Sequence, residues 1–408
     1  MARAPGAGAV TASAPGKVLL HGEHSVVFGH RALAACLGLR TATTVARRPA
    51  AAARVRLCLP AVALDARVPA AGLWRAARDA GAAWRHPRRL DHERLLRAVD
   101  ELLAARAAAW GGAQRDAARA LLYLAAAVLA DAPDGPGALR VSVRSELAVG
   151  AGAGSSAALA VSAAAALLRL RAGAAADARL VSAWAFSCER IAHGAPSGVD
   201  NAASAFGGLV AFRRGEEPRA LALRVRLRVL LVDTRAARRT SAQVARVAER
   251  RARWPAAVDA TLQACGHVAD AALEVLQQLS DAPGGSGERY AALGELWDAN
   301  HCLLAALGVS HRALEHVRAL AAEHGLAAKL TGAGGGGYAI VLVPPAADAA
   351  RVRALRDALE AAGYLVTDTL LGGDGVRVHD TPDESDEPDE SDESDEPDEP
   401  VALEATDS

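Results

Sequence analysis

The chain has 408 residues, of which 51% are hydrophobic, so it can bury a large core, and its length suggests two domains. Its formal net charge is −1, but residues 380–408 hold fifteen Asp and Glu residues and no Lys or Arg, which leaves 46 basic against 32 acidic residues elsewhere, a net charge of about +14. Such a basic body suits anionic ligands. Aromatic residues make up only 3% and no basic run is interleaved with them, which argues against a nucleic-acid-binding protein.

The cysteines and the N-terminus indicate the compartment. The five cysteines are widely spaced and form no Cys-x-x-Cys pair, a pattern typical of reduced thiols rather than of a disulfide or zinc framework. Residues 1–16 lack the apolar core of a signal peptide. We therefore expect a cytoplasmic protein that does not span a membrane, and we expect residues 377–408 to form a disordered acidic tail.

In the N-terminal half the hydrophobic pattern mixes strands and helices. It predicts strands at residues 10–11, 17–20 and 54–64, with a loop at 21–30. Helical periodicity covers residues 90–130, interrupted by Gly111 and Gly112, and returns at 176–191.

The C-terminal half has the same mixed character. The pattern predicts strands at 228–233 and 338–343 and helices at 241–279, 290–306 and 348–362. Because no regular βαβ repeat is visible, the predicted fold class is α+β. A break near Val225 divides the chain into predicted domains 1–226 and 227–376.

A glycine-rich segment precedes a long Ala/Leu run and predicts an anion site. Gly150, Gly152 and Gly154 stand directly before Ser155 and Ser156. Glycines adopt positive φ easily, so their N–H groups can approach an anion, and the first helical turn that follows favours negative charge. The alternative is a structural turn before a buried helix. A membrane span is disfavoured because the run is mostly Ala, interrupted by Gly and Ser.

Only two of the 46 basic residues are lysines, Lys17 and Lys329, and each lies beside a glycine-rich segment. A compact ammonium fits among phosphate oxygens better than a planar guanidinium does, which favours a phosphate-contacting role. Chance is the alternative for both, and an exposed strand edge is a further alternative for Lys329. The glycines of residues 332–337 formally match G-x-G-x-x-G, but a strand follows them instead of a helix, so a dinucleotide site is disfavoured.

Two carboxylates are spaced to meet in one cleft. Glu189 lies one turn before the end of a predicted helix, and Asp200 follows a Gly-x-Pro-Ser-Gly turn eleven residues later. Phosphoryl transfer needs a cation across the phosphates and a base for the attacking hydroxyl. One carboxylate could hold a divalent cation while the other accepts a proton, and a hydroxyl with a carboxylate, such as Ser156 with Glu189, is a normal set of Mg²⁺ ligands. The alternative is that both are ordinary acids at helix ends.

Taken together, these segments resemble the GHMP kinase superfamily, and its mevalonate-phosphorylating branch most closely. The resemblance rests on residues 13–30 (SAPGKVLLHGEHSVVFGH), 146–159 (ELAVGAGAGSSAAL) and 329–342 (KLTGAGGGGYAIVL). The most specific stretch is 189–208 (ERIAHGAPSGVDNAASAFGG), which is unlike that of galactose or homoserine kinases. The resemblance covers about residues 10–376 and leaves out the acidic tail.

The resemblance implies a two-domain fold, with an N-terminal domain like ribosomal protein S5 domain 2 and a ferredoxin-like C-terminal domain. It implies ATP-dependent phosphorylation of the C5 hydroxyl of (R)-mevalonate, in isoprenoid and sterol biosynthesis. Asp200 would be the base, Lys17 would lower the pKa of the attacking hydroxyl, and Glu189 and Ser156 would hold Mg²⁺. The implied nucleotide contacts are Lys17, Ser145, Gly150, Ala151, Gly152, Ala153, Gly154, Ser155 and Ser156. The implied substrate contacts are Glu23, His24, Asp200, Thr240, Gly332, Ala333 and Gly334.

The sequence departs from the family at a few positions. Ala148, Val149 and Ala153 replace residues that are usually proline or leucine around the second motif, and Ala61 replaces an adenine-binding Asn. Leu to Ala at a packed position costs about 2–5 kcal/mol if the cavity does not close. We therefore expect activity with weaker ATP binding.

Two other functions stay open at this point. One is a GHMP kinase for another small alcohol or sugar, and the other is a catalytically silent ligand sensor. The resemblance also implies a homodimer and feedback inhibition by prenyl diphosphates.

Overall fold

The structure is a computed structural model that describes residues 9–48, 54–69, 71–132, 137–150, 152–193, 197–221, 226–237, 239–281 and 286–379. Ala151 and the acidic residues 380–408 lie outside the described residues. The helices are α1 (Ala71–Asp79), α2 (His92–Ala107), α3 (Gly112–Leu129), α4 (Ser155–Ala172), α5 (Ala178–His193), α6 (Val199–Phe206), α7 (Thr240–Arg253), α8 (Pro255–Asp281), α9 (Ser286–Ala306), α10 (Arg312–Glu323) and α11 (Ala349–Ala361). The strands are β1 (Ala9–His21), β2 (Ala32–Arg48), β3 (Arg54–Leu59), β4 (Leu64–Pro69), β5 (Ala138–Ser145), β6 (Leu209–Phe212), β7 (Arg219–Leu221), β8 (Leu227–Asp233), β9 (Ala328–Leu330), β10 (Tyr338–Val343), β11 (Leu365–Leu371) and β12 (Arg377–His379).

The strands form one mixed sheet whose main path runs β4-β3-β5-β2-β11-β8-β10-β9. The long strand β2 is its centre, because it pairs with β1, β5, β6 and β11. Helices α3, α4 and α5 cover the N-terminal part, and their apolar residues pack with β1, β2 and β5 into one core cluster. The predicted α+β class is confirmed.

The C-terminal strands have the order β11-β8-β10-β9 with antiparallel neighbours throughout. In the chain they follow a β-α-β-β-α-β sequence, since α7 to α10 separate β8 from β9 and α11 separates β10 from β11. This is the ferredoxin-like arrangement that the resemblance implies. The proposed domain boundary at 226/227 falls just before β8.

The two halves meet along a backbone seam. Leu37 of β2 pairs with Leu371 of β11, and the N–H of Gly372 donates to the carbonyl of Cys36 at 3.0 Å. The buried Cys36 thiol donates to the carbonyl of Gly373, also at 3.0 Å. A second core cluster, which includes Val18 of β1 and Ile340 of β10, spans both halves.

Helix α4 is apolar enough in length and composition to cross a membrane, yet it packs inside the protein. It contacts α3 and α5 on one side and β1 and β2 on the other. Eleven of its 18 residues are buried, including Val161 and Leu168, and the buried residues lie all round it rather than along one stripe. A helix enclosed on all sides has this composition without a lipid partner.

Several predicted boundaries are wrong. The two predicted N-terminal strands are one continuous strand, β1, with register shifts at Pro15 to Lys17 and Leu19 to His21. The predicted strand at 54–64 is the hairpin β3–β4 around a short 3-10 turn. The predicted helix at 241–279 breaks at Pro255, which begins α8 because proline has no N–H for the preceding helix. The described chain continues to His379, so residues 377–379 of the predicted tail form β12 against β1.

Candidate active site

Lys17 and Asp200 meet, although 183 positions separate them in the sequence. Lys17 lies near the end of β1, and Asp200 lies in the first turn of α6. Lys17 Nζ is 3.0 Å from Asp200 Oδ1, and 10% of the lysine side chain and 29% of the aspartate side chain are exposed. This ion pair is accessible to a ligand from the aspartate side.

The glycine loop lies directly against Lys17. Gly150, Gly152 and Gly154 all have positive φ, as predicted, and α4 begins at Ser155, also as predicted. The N–H of Lys17 donates to the carbonyl of Ala153 at 2.8 Å. A Cβ on Gly154 would come within 2.9 Å of Lys17 Cγ, so this glycine is required for the close approach. The helix start has no side-chain cap, and its first N–H groups are available to an anion.

Glu189 is the third charged group of the cleft and is mostly enclosed. It lies one turn before the end of α5, as predicted. Burial raises the pKa of this carboxyl to about 8; the charge of Asp200 adds to the rise and the charge of Lys17 opposes it. Its Oε2 atom is buried and has no hydrogen-bond partner within the described residues. A carboxylate oxygen without a partner is expensive in a protein interior unless a cation or proton satisfies it.

Other implied nucleotide and substrate residues lie at the ends of elements. Ser145 ends β5, where its hydroxyl contacts the Thr41 hydroxyl at 2.8 Å and accepts from the N–H of Leu147 at 3.2 Å. Ser156 is exposed in the first turn of α4, and Thr240 is exposed at the first residue of α7. Ser145 is therefore already engaged within the fold, whereas Ser156 and Thr240 face outwards.

Lys329 does not lie on an exposed strand edge, and it does not face the cleft. Its side chain is fully buried, as is that of Glu23, and the two form an ion pair with Nζ to Oε1 at 2.6 Å. The ammonium also donates to the Leu330 carbonyl at 2.6 Å. Asn300 of α9 donates to the second oxygen of Glu23 at 3.0 Å. Both oxygens of Glu23 are thus occupied by protein groups, Lys329 on one and Asn300 on the other.

His24 connects the first glycine-rich motif to the third. Its Nε2–H donates to the carbonyl of Ala333 at 2.8 Å, and burial lowers the pKa of the imidazole. Its φ of 61° is left-handed, which is uncommon for a residue other than glycine. Such a conformation persists only where neighbouring contacts hold it, and those strained positions concentrate at functional sites.

The third glycine-rich segment is packed more tightly than the sequence indicates. Gly332 and Gly334 have positive φ. A Cβ on Gly334 would lie 2.1 Å from the Val309 carbonyl, and one on Gly335 would lie 2.2 Å from the Gln243 side chain. At these two positions the absence of a side chain lets the Val309 carbonyl and the Gln243 side chain approach the backbone.

Sequence reasoning missed two residues that organise this region. Asn300 lies on the buried face of α9, in the series Leu293, Trp297, Asn300 and Leu304. A polar residue at a core-facing position of a helix was the available signal. Thr331 bridges to β1, since its hydroxyl donates to the Leu19 carbonyl at 2.8 Å and accepts from the Leu19 N–H at 3.0 Å. No feature of the sequence around Thr331 predicts its contact with Leu19.

The assembled groups have the parts needed to move a phosphoryl group. An ammonium and two carboxylates stand beside the uncapped start of α4, which can receive phosphate oxygens. One carboxylate is buried without a partner and suits a hard cation, and the other is accessible and suits a proton acceptor. Among the described residues no cluster of three or more His, Cys, Asp or Glu forms a metal cage. Mg²⁺ bound to phosphates needs only one or two protein carboxylates.

Comparison with known proteins agrees with this geometry. The profile described as "GHMP kinases N terminal domain" matches residues 117–208, and "GHMP kinases C terminal" matches residues 272–364. The first match contains the glycine loop, Glu189 and Asp200, and the second contains Lys329 and the third glycine-rich segment.

Full-length relatives narrow the family. The chain is 37% identical to mouse mevalonate kinase over 396 residues, which is 91% of this chain and 95% of the mouse protein. It is 36% identical to the human mevalonate kinase over 387 residues, 90% of this chain and 94% of the relative. The crystal structure of L. major mevalonate kinase in complex with R-mevalonate shares the fold, with a TM-score of 0.63 and 24% identity over 89% of this chain and 96% of that one. The chain therefore belongs to the mevalonate kinase family of the GHMP kinases.

Proposed function

We propose that this protein transfers the terminal phosphoryl group of ATP to the C5 hydroxyl of (R)-mevalonate, giving 5-phosphomevalonate and ADP. One observation carries the proposal: Lys17 and Asp200 are in contact beside the glycine loop, with Glu189 enclosed next to them. The relatives at 36–37% identity over about nine-tenths of the chain support mevalonate as the acceptor.

Asp200 accepts the proton of the attacking hydroxyl in this mechanism. It is the exposed member of the pair, so a substrate hydroxyl can reach it. Lys17 beside it stabilises the negative charge that develops on the attacking and transferred oxygens. As the proton leaves the hydroxyl for Asp200, the oxygen attacks the terminal phosphorus of ATP and the bond to the ADP oxygen breaks.

The residues present fit Mg²⁺. The Oε2 atom of Glu189 is a hard oxygen ligand, and it is buried with no hydrogen-bond partner within the described residues. Glu189 would hold the ion, with Ser156 at the start of α4 as the second ligand. The bound ion would neutralise charge on the phosphates.

A coupled ADP-release assay tests the acceptor. Mevalonate, galactose, homoserine and phosphomevalonate would each be offered with ATP and Mg²⁺, and we expect turnover with mevalonate alone. Turnover of galactose or homoserine without mevalonate would replace this proposal with another GHMP kinase activity. Tight ligand binding without ADP release would indicate a sensor.

Further expectations extend the proposal beyond the site. A kinase of this specificity acts in isoprenoid and sterol biosynthesis, in the cytoplasm, and we propose a homodimer that prenyl diphosphates inhibit. These expectations rest on the family resemblance. Analytical ultracentrifugation and inhibition by farnesyl diphosphate at varied ATP would test them.

A further inference from the structure

Three contacts tie the third glycine-rich segment to the end of β1. Thr331 exchanges two hydrogen bonds with Leu19, Lys329 pairs with Glu23, and His24 donates to the Ala333 carbonyl. Leu19 follows Lys17 by two residues on the same strand. Residues 329–333 are therefore held in a fixed position relative to β1, the strand that carries Lys17.

The ion pair between Lys329 and Glu23 is the contact most sensitive to the loss of one partner, because both charges are buried. Neither side chain has any exposed surface. Removing one partner of a buried pair leaves an uncompensated charge, whereas replacing both by neutral groups is often tolerated. Lys329 is the only cation that the described contacts place within bonding distance of Glu23.

Glu23 also lies at the centre of a strained turn. Gly22 before it has φ 86° and His24 after it has φ 61°, so Glu23 has a residue with positive φ on each side. A strained backbone persists only where the surroundings hold it. The Glu23 side chain, held by Lys329 and Asn300, fixes the middle of this turn and with it the direction of His24.

We propose that Lys329 is a positioning residue for phosphoryl transfer: its ammonium, buried against Glu23, keeps His24 and the Gly332–Gly334 segment at a fixed distance from Lys17 and Asp200. This differs from the interpretation of Lys329 as a phosphate ligand, since its Nζ donates to Glu23 and to the Leu330 carbonyl inside the protein. The inference rests on the proposed kinase function but not on the identity of the acceptor.

The test compares Lys329→Met with the wild-type protein. Misplacement of a reacting group by about 1 Å costs on the order of 10²-fold in rate, so we expect kcat to fall about 10²-fold. The KM for ATP should stay within about threefold, because the nucleotide loop is held by β1 and α4 rather than by Lys329. In the protein without ligands, hydrogen exchange of the amides of residues 331–337 should become faster.

A double variant separates positioning from simple stability. Lys329→Met alone leaves Glu23 buried and unpaired, which destabilises the fold, whereas Glu23→Gln combined with Lys329→Met removes both charges. We expect the double variant to regain the thermal stability of the wild type while its kcat stays about 10²-fold low. Recovery of wild-type kcat in the double variant would overturn the proposal. It would mean that Lys329 serves only to neutralise the buried charge of Glu23.

Arg228→Met is the matched control, since it removes a cation from the same sheet. Arg228 of β8 pairs with Asp368 of β11 on the surface, with Nη2 to Oδ2 at 2.5 Å. We expect wild-type kcat and wild-type hydrogen exchange at residues 331–337 in this variant. A fall in kcat as large as that of Lys329→Met would overturn the proposal.

A large rise in the KM for ATP of Lys329→Met at unchanged kcat would also overturn it, in favour of a nucleotide contact. Wild-type protein that fails to phosphorylate mevalonate would refute the proposed function instead, and the exchange data would still decide the role of Lys329.

Discussion

At the scale of single residues, burial distinguishes the two carboxylates of the cleft. Glu189 and Asp200 both lie near Lys17, but Glu189 is enclosed and its pKa is raised to about 8, whereas Asp200 contacts the lysine and remains partly exposed. Two acids whose surroundings differ in this way can divide the roles of cation ligand and proton acceptor.

Replacing Asp200 tests the proton-accepting role. Asp200→Asn keeps the shape but removes the base, and general base catalysis contributes on the order of 10²–10⁴ in rate, so kcat should fall by that factor. Titration calorimetry should still detect ATP binding, because the glycine loop is unchanged. Asp368→Asn on the surface of β11 serves as the control. Near-normal turnover in Asp200→Asn would remove Asp200 from the mechanism.

Replacing Glu189 should stabilise the protein measured without Mg²⁺ or ATP. A carboxyl whose pKa rises from 4.5 to about 8 on folding opposes folding when it is charged. This penalty is absent below pH 4.5, grows between pH 4.5 and 8 and is constant above. Glu189→Gln should therefore raise Tm by an amount that increases across that window, as thermal unfolding at several pH values would measure. A gain in Tm that does not change with pH would contradict this explanation. The same variant should need more Mg²⁺ for activity.

The proximity of Lys17, Glu189 and Asp200 could be predicted from sequence, but the contacts that surround Lys329 could not. Lys17, Glu189 and Asp200 stand in segments whose composition is unusual, with a rare lysine and acids beside glycine turns. Glu23, the partner of Lys329, is 306 positions away in the sequence, and no local pattern predicts a contact over that separation. A phosphate contact by Lys329, one of the alternatives at the sequence level, is disfavoured because its ammonium is fully buried and donates to Glu23 and to the Leu330 carbonyl.

At the scale of elements, the start of α4 shows how a loop and a strand share one site. The carbonyl of Ala153 accepts the N–H of Lys17, and a Cβ on Gly16 would lie 2.5 Å from that carbonyl. Gly16 and Gly154 thus permit the loop and β1 to approach from opposite sides. This contact sets the distance between the glycine loop and Lys17.

Two glycines at opposite ends of α4 provide a matched test of that contact. Gly154 has φ 77° and faces Lys17 Cγ, and Gly173 has φ 70° and open space around its Cβ position. Alanine at either position costs about 1–2 kcal/mol of backbone strain. Gly154→Ala should additionally displace Lys17 and lower kcat by about tenfold or more, while Gly173→Ala should lower Tm with normal kcat. Equal kcat in the two variants would contradict the importance of this approach.

Element types were easier to predict than element ends. The long helices α3, α4 and α9 have strong periodic or continuous apolar patterns, and they are present as predicted. The pattern did not separate β3 from β4, because Pro60 is the one turn residue between them and Ala61, Val62 and Ala63 continue the apolar run. The short strands β6, β7, β9 and β12 are defined by their pairing partners, which a local pattern does not contain.

At the scale of the whole molecule, charge is divided between the body and the C-terminal residues. The body carries a net charge of about +14 and residues 380–408 carry fifteen acids, although the latter lie outside the described residues. Opposite charges on one chain attract at low ionic strength, and this attraction is screened within about 10 Å at 0.1 M salt. The acidic residues can therefore compete with ATP for the positively charged body.

Truncation after His379 tests this competition. The shortened protein should show a lower KM for ATP than the full chain at low salt, and the difference should disappear at high salt as screening increases. A full-length variant whose tail acids are changed to Asn and Gln separates charge from length and should behave like the truncated protein. Identical KM values at low salt for all three proteins would dismiss the effect.

The burial of Lys329 has a practical consequence for chemical labelling. The whole chain contains only two lysine side chains, one of which has no exposed surface while the other is slightly exposed beside Asp200. An acylating reagent that attacks primary amines thus has two targets, the α-amino group and Lys17. The degree of Lys17 acylation, read by mass spectrometry of one peptide, would report directly on whether the cleft is filled.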